Sequence, residues 1–463
     1  MNRIYLTLVV LVVGLAAMFS PLAQAADGTI ELSLEDAIDR ALASHESLAQ
    51  ARETVIAAEA GQMEARAGRL PQLSLSSQYT HNLRKPSFFL PDAFAEEFGG
   101  ASKVDMGGEY DMTGALSATL NLWTAGRLSA ASGIAREWVE MSKLQEAATR
   151  DYLRFQVRTT YCQALLSHET LRIQEQAFTE TEEAFRVARA GFESGTVSRF
   201  DLQRAEVELA NRHAPLLEAQ NDVGQAMLTL RRLCGFSPEV SLSLLDELGS
   251  VEPLLPSEDL LKLMRNHNPE LLALDHAVAL QKQQVQLQKA ARWPVLQLSG
   301  QYVWQGQWDD DPIPEDNNLA TSASVALGLS VPIFDGLETK AKIQAARSDL
   351  TSAELERDRV MHEKELSVRQ SLLQLQNALA TLEGCRGAVL LAEEAHRLAL
   401  IRLENGLATP LERLDAESAM TTSRAQLAVA LFAANLAEAT LELTIGAPLR
   451  EMQSATTGRT NHE

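Results

Sequence analysis

The sequence predicts a mainly α-helical chain with a transmembrane β-barrel portion, built from one helix–strand–strand–long helix–helix unit that occurs twice. Three observations carry that prediction. The chain repeats itself: Glu35–Tyr79 aligns without a gap on Glu258–Tyr302, and Gly191–Gly235 on Arg402–Gly446. After Pro71, and again after Pro294, a helical pattern gives way to strict two-residue alternation. Each pair of alternating segments then leads into a proline-free helical stretch, near Arg127–Glu193 and Glu338–Glu404, long enough to reach roughly 100 Å. The two registers differ, and the difference is absorbed where the paired strands connect. This is duplication of a large unit, not a short solenoid period.

The elements follow in order. Arg3, the apolar run Ile4–Phe19 and the small-x-small triplet Ala23-Gln24-Ala25 read as a secretory signal over residues 1–25. No later apolar run is long and uninterrupted enough to suggest a membrane-crossing helix. The first repeat is expected over residues 26–236, a Pro/Ser/Leu linker that merely joins the halves over 237–256, the second repeat over 257–447 and a polar tail over 448–463.

Helix Leu34–Arg69 ends at Pro71. In the strand that follows, Leu73, Leu75 and Tyr79 take one face and Ser74, Ser76 and Gln78 the other; its partner sets Leu116, Ala118, Leu120 and Leu122 against Ser117, Thr119 and Asn121. The second half repeats the pattern, with Leu296, Leu298, Tyr302 and Trp304 against Gln297, Ser299 and Gln301, then Val325, Leu327, Leu329 and Val331 against Ser324 and Ser330. A soluble sandwich also alternates. Four such strands in an exported, otherwise helical chain favour a lipid-facing barrel wall. Four strands cannot enclose water, and an open edge cannot lie in lipid, so the strands must be pooled from several copies.

The long helices carry apolar seams at steps of three and four: Tyr152, Phe155, Cys162, Leu166 and Ile173 in one, Leu375, Leu379, Leu382 and Val389 in the other, as packing against neighbouring helices requires. Both end at matching turns, Gly195-Thr196-Val197-Ser198 and Gly406-Leu407-Ala408-Thr409, each with a glycine past the helix and a hydroxyl residue ahead of the next. Return helices follow, and Pro215 predicts a kink in the first of them.

These residues together resemble the TolC family of outer-membrane efflux and secretion ducts. The resemblance rests on Leu32-Ser33-Leu34-Glu35-Asp36-Ala37-Ile38, Asn268-Pro269, Val331-Pro332-Ile333-Phe334-Asp335-Gly336, the turns Gly195…Asp201 and Gly406…Asp415, and Leu414-Asp415-Ala416-Glu417. It covers nearly all of the chain after the signal. It implies a homotrimer with one twelve-stranded barrel in the outer membrane and an α-helical barrel through the periplasm. It also implies a periplasmic adaptor (membrane fusion) protein at the helix-turn tips, an inner-membrane transporter supplying energy, and drugs, toxic compounds, metals or polypeptides as cargo.

The resemblance places acidic residues of the periplasmic aperture at Asp201, Glu412 and Asp415. Asp201 and Glu412 also stand where a carboxylate caps a helix, whereas Asp415 lies a turn deeper and is the sharper aperture candidate. Arg204 matches Asp415 by pseudo-symmetry, and the two are expected to pair across neighbouring helices and hold the mouth shut. Some relatives lock the mouth with an aromatic and a basic residue where this chain has Leu403 and Ala408, so that lock is not expected here.

Other signals are exclusions. A net charge of −21 with 5% aromatic residues speaks against nucleic acid and against charge-driven docking on anionic lipid. Three separated cysteines suggest neither a disulfide framework nor a zinc site. His45-Glu46, His168-Glu169 and His362-Glu363 lack the second histidine of a zinc-protease motif and read as solvated helix faces. No nucleotide loop or nucleophile elbow occurs, so neither cofactor, metal nor enzyme activity is expected. The loops Lys85–Asp111, with Phe88, Phe89, Phe94 and Phe98, and the one carrying Asp309-Asp310-Asp311 would lie at the extracellular mouth. A type I protein-secretion duct and a periplasmic coiled-coil scaffold without a pore are the alternatives.

Overall fold

The computed structural model describes residues 30–85, 87–89, 103–105, 107–249, 257–309 and 319–448. The expected signal, the tail beyond 448, Phe94, Phe98, Asp310 and Asp311 lie outside them. The chain runs β1 (Ile30–Leu32), α1 (Leu34–Ser44), α2 (Glu46–Ala67), β2 (Gln72–His81), β3 (Ser87–Phe89), β4 (Lys103–Asp105), β5 (Tyr110–Trp123), α3 (Arg127–Glu193) and α4 (Arg199–Leu233). It continues with β6 (Leu242–Leu244), α5 (Ser257–His267), α6 (Pro269–Ala290), β7 (Val295–Trp308), β8 (Leu319–Ser330), α7 (Glu338–Glu404) and α8 (Pro410–Ile445).

The duplicated halves share their breakpoints. Asn268 caps α6, its Oδ1 accepting the amides of Glu270 and Leu271, and Pro269 takes the first helical position, where no amide is needed. The matching His45 caps α2 by accepting the Ser47 amide at 3.2 Å; it is thus a capping residue and not the solvated helix face expected, while His168 and His362 are exposed on theirs. The strand-to-helix turns hold two consecutive left-handed residues each, Ala125-Gly126 in the first half and Gly336-Leu337 in the second. Asp335 secures the second turn by accepting the amides of Leu337 and Thr339.

β2, β5, β7 and β8 form one antiparallel sheet in that order. Its register aligns the faces read from the sequence. Leu75, Leu116, Tyr302 and Ala323 fall in one row and Leu73, Ala118, Gly300 and Val325 in another, with Ser74, Ser117, Gln301 and Ser324 in the row between. The apolar face is bare: Leu75 is 69% exposed, Val325 80% and Leu327 63%. β2 and β8 are each bonded on one side only, so both edges of the sheet are open within the chain. On that face the indole of Trp304 lies over Gly114, where a Cβ would stand about 2.0 Å from the ring. At the far end from the helices, Lys85 pairs with Asp309 at 2.6 Å and joins the two strand connections.

α3 and α7 are single helices of 67 residues. α3 packs along α2, α4 and α6, while α8 packs along both α7 and α3. Matched positions fill two matched cores: Leu48, Val157, Leu230 and Cys234 in the first, Leu271, Val368, Leu441 and Ile445 in the second. Gly446 turns left-handed at the end of α8 with its Cα so close to Asn268 that a Cβ would stand 2.8 Å from the Asn268 backbone.

Further local expectations change, among them the single helix read over Leu34–Arg69, which is two helices broken at His45. The linker does more than join the halves: β6 pairs in parallel with β1, Leu242 enters the first core, and Asp246 accepts the Leu34 amide and the Tyr161 hydroxyl. α4 is helical from Arg199 to Leu233 with Pro215 inside it. α8 contains a stretch of mean hydropathy 1.4 that is long and apolar enough to cross a bilayer, contrary to expectation. Within it Ala428, Ala430, Ala434, Ala439 and Leu441 are buried in the protomer. The three cysteines are unpaired thiols; Cys162 and Cys234 are buried, and burial pushes the Cys234 thiol up to about 11.

Candidate functional site

The site read from the sequence lies at the helix-hairpin ends. Each long helix stops in the same way, for the same reason: a left-handed glycine, Gly195 or Gly406, reverses the chain and lets a later amide reach back to an orphaned carbonyl. The Thr196 amide donates to Gly191 at 2.8 Å and the Leu407 amide to Arg402 at 2.7 Å. Ser198 then caps α4, accepting the Asp201 amide at 3.2 Å while its hydroxyl donates to the Asp201 carboxylate at 2.6 Å. Thr409 caps α8 by accepting the Glu412 amide at 3.2 Å. The Glu412 carboxylate turns outward to Arg402 across the hairpin, at 3.4 Å. Phe200 and Leu407 are each 70% exposed beside these turns, an apolar offering at both tips.

The four predicted aperture residues therefore separate into two kinds. The Asp201 carboxylate is engaged in its cap, whereas Glu412 gives only its amide to the cap and its carboxylate to Arg402. Arg204 and Asp415 are both exposed, and within one chain no hydrogen bond or ion pair joins them among the described residues. The expected pair is not made inside the protomer and would have to form between chains.

Sequence reasoning passed over a second group just inside the turns. Glu417, two residues beyond Asp415, is 1% exposed in a hairpin otherwise studded with solvated charge. Its carboxylate accepts from Arg413 at 3.2 Å and from the Thr181 hydroxyl at 3.3 Å, so it bridges α8 to α3. Burial pushes its carboxyl above the usual range; Arg413 opposes this and nearby Glu180 reinforces it. Glu180 on α3, His396 on α7 and Glu417 on α8 converge, their nearest ligand-type atoms all within 4.8 Å of one another. They line a cavity of about 780 Å³ together with Glu183, Arg186 and Arg413. One turn along α3, the Gln176 side-chain oxygen accepts from Arg424, which also reaches Glu393 on α7 at 2.8 Å. The available signal was position: Glu417 lies one turn before Met420, on the stripe of α8 that is buried.

The arrangement as a whole is a sheet with a bare apolar face at one end, two long helical hairpins, and charged turns at the other end. Among known proteins, the chain is 26% identical over 282 residues to the alkaline protease secretion protein AprF of Pseudomonas aeruginosa, which covers 60% of this chain and 57% of that one. It is 25% identical over 295 residues to the outer membrane efflux protein BepC of Brucella suis, covering 61% and 62%. The alignments thus span less than two thirds of either relative. The outer membrane protein VceC of Vibrio cholerae shares the fold at a TM-score of 0.71 and 19% identity, over 89% of this chain and 96% of that one. The family description "outer membrane efflux protein" matches residues 37–236 and 260–447, one match for each repeat, and this chain belongs to that family.

Proposed function

We propose that the chain is the outer-membrane channel of a tripartite export system. Three copies pool their sheets into one twelve-stranded barrel in outer-membrane lipid, and their long helices form a tunnel reaching into the periplasm. The observation that carries this reading is the four-stranded sheet: one whole face is apolar and uncovered, and both edges are open. Lipid satisfies the face, and neighbouring copies satisfy the edges. A coiled-coil scaffold without a pore has no use for such a sheet.

The duct is passive. Energy comes from an inner-membrane transporter through a periplasmic adaptor, and the turns Gly195–Ser198 and Gly406–Thr409, with exposed Phe200 and Leu407, are the surface the adaptor meets. Asp415 lines the aperture of the assembled channel, and small molecules such as drugs and toxic compounds are the cargo. The test is conductance of the purified protein in planar lipid bilayers: discrete, cation-preferring channel steps support the reading, and a protein that inserts without conducting refutes it.

A second reading has a specific observation in its favour. AprF is named for secretion of a protease, so a duct for polypeptides of the type I kind fits the same fold. A deletion strain separates the two, since an efflux duct leaves cells sensitive to toxic small molecules while a secretion duct leaves a protein missing from the medium.

A further inference from the structure

The convergence of Glu180, His396 and Glu417 is not required by a passive duct. Glu417 is nearly fully enclosed, and enclosing a carboxylate costs free energy that a small apolar residue at the same position would avoid. Glu180 Oε1 accepts from Gln176 at 2.9 Å, but its other oxygen, Oε2, is buried with no hydrogen-bond partner. Such an orphan acceptor beside a second carboxylate and an imidazole is short of positive charge. Arg413 pairs with Glu417 from the same helix, and Arg186 in the cavity wall is held by Glu183, so no ion pair reaches Glu180 among the described residues.

We propose that Glu180, His396 and Glu417 form a binding site for a divalent transition-metal ion. Two carboxylates and one imidazole are the mixed oxygen and nitrogen donors that suit zinc, manganese or iron(II), and poorly suit soft copper(I). Ligand atoms at about 2.0–2.2 Å from a tetrahedral ion stand roughly 3.5 Å apart, so side-chain rotations closing the present spacing by about an ångström would complete the set. The adjoining cavity gives the ion a route in and room for water in the remaining positions.

The three donors come from α3, α7 and α8, so an ion there would tie the first hairpin to the second close to the turns. Pseudo-symmetry does not reproduce the site: Leu391 and Phe185 stand where a second copy would need Glu180 and His396. The site does not depend on the chain being a duct, and its test reads binding, not transport.

The test is isothermal titration of zinc into untagged, chelator-stripped full-length protein in detergent, with magnesium as the control ion. The proposal expects one zinc per chain, no comparable magnesium binding, and at least a tenfold loss of zinc affinity in both His396→Ala and Glu180→Gln. Both variants leave the Arg413–Glu417 pair in place, and their unchanged helical spectra would show that folding is retained. Cobalt(II) gives a second reading, since its visible absorption should strengthen on binding to the parent protein and fail to do so in His396→Ala. Absence of stoichiometric binding, or zinc binding in either variant as strong as in the parent protein, overturns the proposal.

Discussion

Arg158 on α3 and Glu438 on α8 form a buried ion pair that bridges the two repeats, their side chains 15% and 5% exposed. Glu442, one turn further along α8, takes the other arm of the same guanidinium. The link lies between the two matched cores and holds the last helix of the second half against the long helix of the first. Arg158→Met would strand the nearly buried Glu438 carboxylate and take a partner from Glu442, and loss of one partner of such a pair costs about 3–5 kcal/mol. The expected outcome is a marked fall in the thermal midpoint, largely recovered when Glu438→Gln and Glu442→Gln are added. Fully additive losses in the combined variants would show that the three side chains act separately.

Tyr161 makes a smaller, sharper test. Its hydroxyl donates to the Leu32 carbonyl at 2.8 Å and lies 2.9 Å from Asp246, pinning β1 and the inter-repeat segment to α3. Both acceptors keep another donor, Leu245 for the carbonyl and Leu34 for the carboxylate, and the one group deprived is the Asp246 amide, which donates to the hydroxyl over a long 3.4 Å. Tyr161→Phe should therefore cost only about 1 kcal/mol, as for an ordinary buried hydrogen bond. Chemical denaturation checks this, and a loss of several kcal/mol would mean that the hydroxyl organises more than these contacts.

The strand faces predict an asymmetry between adjacent residues. Leu75 and Leu327 lie on the apolar face, and an arginine facing hydrocarbon near the bilayer midplane costs about 2–4 kcal/mol. Leu75→Arg and Leu327→Arg should impair insertion into the outer membrane, whereas Ser76→Arg should assemble and change conductance. Membrane fractionation followed by single-channel recording distinguishes them, and equal tolerance of all three would show that the faces are reversed.

At the hairpin ends the caps and the exposed charges should respond differently. Asp201→Asn weakens the interaction with Ser198 and should lower stability by a fraction of the roughly 1 kcal/mol a whole cap contributes, with little effect on selectivity. Asp415→Asn should leave stability alone and reduce cation preference. Arg204 and Asp415 do not meet within a chain, so any pairing lies across the assembly. Conductance of Arg204→Ala, Asp415→Ala and the double variant measures it, with non-additive opening expected and additive changes identifying two independent lining charges.

How much of this was legible in the sequence follows from the range over which each signal acts. The strands and the bounds of both long helices could be read because alternation, helical seams, Pro71 and Pro294 are local, and duplication showed each of them twice. The packing of one half on the other could not be read. Arg158 has Arg369 as its counterpart and Glu438 has Met227, so pseudo-symmetry gives no hint of the pair. Glu180, His396 and Glu417 come from three helices whose juxtaposition has no sequence spacing. β6 is too short for alternation to show, so its segment read as a bare linker although Leu242 belongs to the core and Val240 and Leu244 pack against it. α8 carries alanines, leucines and a few polar residues close together, so by length and composition it passes for a membrane span although part of it is buried against other helices.

The central claim is that one chain holds a third of a barrel. The most direct measurement is the mass of the purified protein in mild detergent, after subtraction of bound detergent. Three chains per particle, with strand content retained, is the result predicted by a sheet with two open edges. A stable, folded monomer that keeps its β-sheet would contradict the account.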